Sequence, residues 1–274
     1  MIVYVATWPR CGNSVLRDLF WLNWSVTVTD PYMPPSGLAT WQRIMTAKHG
    51  IVVDPDEPQI FLLGAKVGLL PGWLHWLTEE RRTQLAAESS TYYLKTHEPP
   101  FERYLPGERV VQMVRHPLAA CWSWHCLTKE QKAHRPIPPE ALATRGHAGL
   151  PGYVDFHERW LRAEVPLVRF TYEAHAKRPD ATVRTIGAYL GLPVDRPRVA
   201  SFTTMKSVNP MRYRAGRVAG WQGTDEQALA VWEACGDVAM RLGYPSIDLT
   251  PTAATKPAGP PQAAALPVLH DAPH

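Results

Sequence analysis

The sequence predicts an α/β fold, in which a single domain has a mainly parallel central sheet with helices on both faces. Short apolar and β-branched runs alternate with longer stretches of helical periodicity, the pattern of βαβ units. Such units make parallel sheets with helices on both faces. In these sheets ligands bind outside the carboxyl ends of the strands. Residues that directly follow a strand are therefore the candidates for a functional site.

The apolar runs predict four strands, at 2–6, 92–96, 109–114 and 165–170. Helical periodicity predicts helices at 15–24, 73–87, 118–132, 153–163, 180–190 and 197–206, and one that Thr224 opens. Between them, 25–70 reads as irregular loops with short helical pieces near 38–48. Residues 134–151 and 208–223 are rich in turn residues and read as loops, the first of them mobile.

We interpret residues 1–249 as the domain and 250–274 as a tail. The tail is rich in proline and alanine and has no core pattern, so we expect it to be disordered.

Composition narrows the classes of function. The net charge of +4 over 274 residues is mild and scattered, which suits an anionic small molecule and argues against a nucleic-acid partner. No apolar run approaches the roughly 18 residues of a membrane span, and no signal peptide is recognisable. The four cysteines are scattered without metal-ligand spacing, and a reduced, cytoplasmic protein fits them best.

The first strand, the first helix and the turn between them predict a phosphate site. A helix that follows a tight glycine turn directs its first amides and its positive dipole end at the loop. Arg10, two residues before Gly12, adds a fixed cation with a fork of donors. The loop lacks the lysine that follows the last glycine of a Walker A loop. The alternative is an ordinary glycine turn.

Two other polar stretches end strands of the predicted sheet. Lys95–His97 ends the second strand and Arg115–Pro117 follows the third. Because the carboxyl ends of parallel strands meet at one edge, we expect both stretches to lie beside the loop 10–14.

With these stretches in place, the chain resembles the sulfotransferases that use 3′-phosphoadenosine 5′-phosphosulfate (PAPS). Six stretches in order carry the resemblance, over roughly residues 2–240. They are Trp8–Ser14 for the phosphosulfate loop, Lys95–His97 for the K-T-H motif, Arg115 with Pro117 and Ser123 for the 3′-phosphate motif, Phe170–Glu173, Ser201–Lys206, and Arg214–Gly216 with Trp221.

The chain departs from the family pattern at several of these positions. Val15 stands where the family often has a tryptophan that stacks on adenine, which leaves Phe202 as the main stacking surface. Arg10 replaces the usual lysine, and Cys11 replaces a small Ser or Ala. The late loop lacks a lysine after Arg214, for which Arg217 is a candidate substitute.

The resemblance implies transfer of a sulfuryl group from PAPS to a hydroxyl of a small-molecule acceptor. His97 would be the general base, with Glu98 as the alternative, and Lys95 and Arg10 would stabilise charge on the oxygen that leaves sulfur. The residues implied to bind the nucleotide are Arg10, Cys11, Gly12, Asn13, Ser14, Arg115, Ser123, Tyr172, Phe202, Met205, Arg214, Ala215 and Gly216. Each also has an ordinary structural interpretation, as a strand-end cap, a solvated cation or a core aromatic.

No metal is required by this chemistry, and the sequence shows no acidic cluster for Mg²⁺. Four aromatic residues in the variable regions would line an acceptor pocket or belong to the core: Trp41, Trp73, Trp76 and Phe101. A homodimer is among the assemblies that the sequence allows. The rival interpretations are a P-loop nucleotide kinase or NTPase, and a non-catalytic module that binds 3′-phosphoadenosine nucleotides.

Overall fold

One four-stranded parallel sheet forms the centre of the protein, in the order β2–β1–β3–β4. The computed structural model describes residues 1–30, 74, 77–130, 136–208 and 221–247. The strands are β1 (Ile2–Ala6), β2 (Tyr92–Thr96), β3 (Arg109–Val114) and β4 (Leu167–Thr171). The predicted α/β fold with a parallel sheet is confirmed.

In the described ranges, helices join and flank the strands. They are α1 (Asn13–Trp24), α2 (Glu79–Ala87), α3 (Pro117–Glu130), α4 (Pro139–Thr144), α5 (Tyr153–Arg162), α6 (Tyr172–Lys177), α7 (Pro179–Leu190), α8 (Phe202–Val208) and α9 (Asp225–Arg241).

Both faces of the sheet are covered, as the sequence predicts. Successive side chains of a strand point to opposite faces, and β1 divides its residues between two apolar clusters. Val3 and Val5 pack with residues of α1 and α7, whereas Tyr4 and Ala6 pack with residues of α3, α5 and α9. A strand buried on both faces reads as the continuous apolar run seen at 2–6.

The strand order opens a crevice between β1 and β3. From β1 the chain goes to β2 on one side, and from β3 it goes to β4 on the other. The loops that leave β1 and β3 therefore diverge, which is where ligands bind in open α/β sheets. In the ladder, Ala6 pairs with both Thr96 and Gln112, so the three predicted stretches begin at one edge.

Some helix boundaries differ from the prediction because caps fix them. The helix predicted from residue 73 begins at Glu79, since the Thr78 side chain accepts a hydrogen bond from the amide of Arg81 at 3.2 Å. The fourth strand lies at Leu167–Thr171, and the short helix α6, which the prediction lacks, follows it directly. Thr224 caps α9 with a reciprocal bond to Gln227, as its position predicts.

The prediction of a mobile loop at 134–151 is wrong for its described part, 136–151. Helix α4 lies inside it, and Leu142 and Ala143 are completely buried in the core. Pro139 is at the start of this helix, where proline lacks only a donor that would have no partner there. The two prolines that suggested a loop thus mark a helix start.

The C-terminal end of the described chain is tied to the carboxyl end of β3. Glu173 accepts one hydrogen bond from the amide of His116 at 3.2 Å and another from the Tyr244 hydroxyl at 2.7 Å. The ring of His116 donates from Nε2 to the carbonyl of Ser246 at 3.1 Å. These bonds fix residues 244–246 beneath the strand end that carries Arg115.

The predicted pieces at 38–48, the domain boundary at 249 and the tail 250–274 lie outside the described residues. Among the helices that are described, none has the length and apolar character needed to cross a membrane.

Candidate functional site

The loop between β1 and α1 presents backbone donors to the crevice. Arg10 and Gly12 have left-handed conformations, with φ of 66° and 101°. The loop begins with a turn over residues 8–11, in which the amide of Cys11 donates to the Trp8 carbonyl at 3.1 Å. The first helical bond runs from Leu16 to Gly12, and no side chain caps α1. The amides of residues 13–15 therefore have no acceptor within the helix, which suits an anion.

Gly12 lies too close to its neighbours for any side chain. A Cβ at this position would be 2.3 Å from Sδ of Met113 and 3.0 Å from Cδ2 of Tyr172. The loop backbone thus passes directly over the end of β3 and the start of α6. The glycine is required both by its φ and by this close approach.

Asn13 and Ser14 follow in the first turn of α1. Asn13 is 8 % exposed, and its Nδ2 has no hydrogen-bond acceptor in the part of the chain described. A buried amide donor without an acceptor is uncommon, and here it lies beside the unpaired helix amides. These donors fit the oxygens of a phosphate or sulfate group.

Cys11 supports the loop from behind. Its side chain is completely buried, and burial raises the pKa of the Cys11 thiol far above its ordinary value. Its amide is already engaged in the turn. We therefore expect Cys11 to shape the loop and the neighbouring residues to contact the ligand.

Three of the predicted phosphate ligands are in contact. Nε of Arg10 donates to the hydroxyl of Ser123 at 3.1 Å, and the guanidinium of Arg115 donates to the Arg10 carbonyl at 3.2 Å. The Arg115 guanidinium also lies over the ring of Tyr172, 4.7 Å from its centre, a cation–π geometry. Helix α3 thus places Ser123 beside Arg10. The packing of this helix against the end of the sheet brings the hydroxyl back to the site, although Ser123 lies eight residues after Arg115.

His97 is oriented by Thr7 at the end of β1. Its Nδ1 lies 2.6 Å from the Thr7 carbonyl and 3.3 Å from the Thr7 hydroxyl. A carbonyl only accepts, so Nδ1 carries the proton, and in the neutral ring Nε2 holds the lone pair. Burial, reinforced by the nearby Lys95 ammonium, lowers the pKa of His97 from 6.5 to about 3. The ring is consequently uncharged at neutral pH.

Lys95 forms part of a buried cluster of three charges. Its Nζ donates to both carboxylate oxygens of Asp30, at 3.0 and 3.1 Å, and Arg17 donates to one of them at 2.9 Å. All three side chains are at least nine-tenths buried. The carboxylate of Asp30 is thus shared by two cations, one from α1 and one from β2.

Asp30 is a residue of the candidate site that our sequence reasoning missed. The β-branched run 26–29 before it was the available signal. Thr29 pairs with β2 through two backbone bonds, to Tyr93 and from Lys95, both at 2.9 Å. This short extension of the sheet sets Asp30 beside Lys95. Thr7, which orients His97, carried no signal of its own.

An apolar cleft of about 310 Å³ adjoins the loop. Val15, Tyr172, Phe202 and Met205, which the resemblance assigns to the adenine side of the nucleotide, all line it. Its volume lies at the lower end of the range for small-molecule pockets. The structure thus brings together residues from α1, α6 and α8 that are far apart in sequence.

Several predicted residues do not lie in the described site. Arg214, Ala215, Gly216 and the candidate substitute Arg217 lie outside the described residues, as do Trp41, Trp73 and Trp76.

Phe101 belongs to the core, where its ring packs edge-on against Tyr4 and Tyr104. Glu98, the alternative base, is buried and accepts a hydrogen bond from the amide of Leu74 at 3.0 Å.

Within the described ranges, no group of three or more metal-ligating side chains could hold a metal ion.

Gly12→Ala should destabilise the protein more than a glycine substitution with the same backbone strain. Gly107→Ala is the control, because Gly107 has φ of 87° but nothing within 4 Å of its Cβ position. We expect the free energy of unfolding to fall by roughly 1–3 kcal/mol more for Gly12→Ala, the usual cost of overpacking. Urea denaturation measures both variants. Equal losses would mean that the contact with Met113 does not constrain the loop.

Asp30→Ala should lower the free energy of unfolding by about 3–5 kcal/mol, because it leaves two buried cations without their shared carboxylate. Lys95→Met in the same background should recover part of that loss by removing one of the cations. Asp155→Ala is the control, since it breaks an exposed ion pair with Arg159 and should cost under about 1 kcal/mol. Similar losses at Asp30 and Asp155 would contradict a cluster held by charge.

Comparison with known proteins supports the fold. No protein-family model and no curated protein matches the sequence. Among solved structures, the mouse sulfotransferase SULT7A1 complexed with PAP aligns at 14% identity over 87% of this chain and 84% of its own, with a TM-score of 0.58. Retinol dehydratase, solved with androsterone and the inactive cofactor PAP, aligns at 16% identity over 87% and 80%, with a TM-score of 0.46 that carries no weight. The chain therefore has the sulfotransferase fold.

Proposed function

We propose that this protein is a sulfotransferase that moves a sulfuryl group from PAPS to a hydroxyl of a small-molecule acceptor, in the cytoplasm and without a metal. The observation that carries the proposal is the grouping of Arg10, His97 and Arg115 around the end of β1: Arg115 donates to Arg10, and His97 contacts Thr7 and is influenced by the charge of Arg10. These residues come from three separate strand ends. The similarity in fold to a protein solved with PAP, the product nucleotide 3′-phosphoadenosine 5′-phosphate, supports the choice of donor.

The loop and the cleft would bind different parts of the donor. The amides at the start of α1, with Asn13 and Arg10, suit the 5′-phosphosulfate. Arg115 and Ser123 would hold the 3′-phosphate, together with Arg214 and the backbone of Ala215 and Gly216. The cleft with Tyr172, Phe202 and Met205 would take the adenine. Because Arg10 contacts Ser123, the two phosphate subsites adjoin.

In the reaction, the acceptor oxygen forms a bond to sulfur while the bond from sulfur to the 5′-phosphate oxygen breaks. Nε2 of His97 would take the proton of the acceptor hydroxyl, since Nδ1 is committed to Thr7. Lys95 and Arg10 would stabilise the negative charge that develops on the departing oxygen. PAP leaves as the second product.

Burial is the main cause of the low pKa of His97. The Lys95 and Arg10 cations lower this pKa further, whereas the Thr7 carbonyl and Asp30 raise it. A bound phosphosulfate brings negative charge next to the same cations, so it should raise the pKa of His97 towards its ordinary value. The histidine would thus become a stronger base when the donor is present.

The donor site is tested by thermal unfolding with PAP, AMP and ATP–Mg²⁺. A ligand at 100 times its Kd stabilises the native state by about 2.7 kcal/mol, which raises Tm by a few degrees. We expect this rise with PAP, and a much smaller one with AMP at the same concentration. Arg115→Ala should abolish the advantage of PAP over AMP, because it removes the ligand of the 3′-phosphate.

Equal effects of Arg115→Ala on both nucleotides would remove Arg115 from the 3′-phosphate site. A preference for ATP–Mg²⁺ over PAP would overturn the proposed function in favour of a nucleotide kinase or NTPase.

His97→Ala should reduce kcat by about 100-fold or more, the usual contribution of a general base, and leave the Kd of PAP within about twofold. Unchanged turnover would exclude His97 as the base, and intact PAP binding without turnover in the wild type would favour a non-catalytic module.

For the wild type, the acid limb of kcat/KM, which reports the free enzyme, should lie well below pH 6.5. The acid limb of kcat should lie at higher pH, since it reports the complex.

A further inference from the structure

The stretch from Pro151 to Trp160, which includes most of α5, is hydrogen-bonded to the ends of three strands. Its partners follow β1, β2 and β3, the strands whose ends carry the candidate site. The three bonds join Nε1 of Trp8 to the Pro151 carbonyl at 3.0 Å, the Tyr153 hydroxyl to the Arg115 carbonyl at 2.8 Å, and Nε1 of Trp160 to the Glu98 carbonyl at 3.0 Å. The proposed function assigns no role to this stretch.

Within it, Tyr153 contacts both the β1–α1 loop and the end of β3. Its ring packs edge-on against Trp8, with 5.2 Å between the ring centres, and Trp8 begins the turn of the loop. Its hydroxyl donates to the Arg115 carbonyl. The side chain is completely buried, so it can influence a ligand in the crevice only through its neighbours.

The bond from Tyr153 holds the backbone at the point where the chain leaves the sheet. Arg115 lies one residue past Val114, the last residue of β3 that pairs with β4. The carbonyl and the guanidinium side chain belong to the same residue, so fixing the first limits the directions open to the second. Burial raises the pKa of the Tyr153 hydroxyl well above its ordinary value. The hydroxyl therefore stays protonated and remains a donor at neutral pH.

We propose that Tyr153 is a positioning residue that sets Arg115 at a fixed distance from the β1–α1 loop, and so fits the site to a nucleotide with both a 5′- and a 3′-phosphate. The inference rests on the proposed function, because it takes Arg115 as the ligand of the 3′-phosphate. Tyr153 acts through Arg115 and touches no atom of the nucleotide.

The test compares Tyr153→Phe with the wild type by isothermal titration calorimetry, using PAP and AMP. The phenylalanine keeps the ring against Trp8 and removes only the bond to Arg115. The affinity for PAP should fall about three- to tenfold, the range expected for one hydrogen bond. The affinity for AMP, which lacks the 3′-phosphate, should change by less than about twofold.

Steady-state kinetics provide a readout that a loss of stability alone would not move. For Tyr153→Phe, the KM for PAPS should rise by the same factor as the Kd of PAP, while kcat at saturating PAPS stays within about twofold of the wild type. A fall in kcat with an unchanged KM would contradict positioning through Arg115.

Tyr4→Phe is the matched control, because the Tyr4 hydroxyl is nearly as buried and also donates at 2.8 Å, but to Glu108, which precedes β3. It should lower the free energy of unfolding by a similar amount and leave both affinities unchanged. In an Arg115→Ala background, Tyr153→Phe should cause no further loss of PAP affinity, since residues that act as a unit are not additive. Should Tyr153→Phe be unfolded in buffer, the same titrations in the osmolyte TMAO, which favours the folded state, decide the matter.

The outcomes separate this inference from the proposed function. Equal losses for PAP and AMP, an unchanged PAP affinity, or the same selective loss in Tyr4→Phe would each overturn the role of Tyr153 while leaving the sulfotransferase proposal intact. Absence of PAP binding by the wild type would overturn the proposed function, and this inference with it.

Discussion

One buried carboxylate, that of Asp30, determines how the parts of the site are held together. It joins Arg17 of α1 to Lys95 of β2, and so connects the helix that follows the β1–α1 loop to the strand that precedes His97. A buried charge is tolerated only when its partners stay in place. The distance between the loop and the histidine therefore depends on this cluster as much as on the sheet.

The loop between β1 and α1 is fixed from its other side by packing. Gly12 lies against Met113 of β3 and Tyr172 of α6, and Trp8 is buried between Trp124 and Tyr153. Packing thus holds the loop at Trp8 and Gly12, and the charge cluster holds the following helix at Arg17. The donors of α1 are held in position before a ligand arrives, which lowers the entropy cost of binding an anion. Left-handed φ at Arg10 is a local strain that these contacts maintain.

The sequence alone predicted the sheet, the loop and the edge at which the site lies. Strands buried on both faces are mostly apolar and β-branched or aromatic, so 92–96 and 109–114 could be placed to the residue. The sequence could not predict the partner of Lys95. Asp30 lies 65 residues away and contacts Lys95 only because the sheet brings the two segments together. Helix α4 was missed because Pro138 and Pro139 look like a loop until their place at a helix start is known.

The bonds between Glu173, His116 and Tyr244 have a consequence for any shortened form of the protein. Tyr244 and Ser246 support the turn that positions Arg115, through Glu173 and His116. A chain ended before Tyr244 would keep all of α9 and lose these contacts. Its sheet would be complete, yet the arginine at the end of β3 would have lost the support on which its orientation depends. The support of Arg115 therefore extends beyond α9.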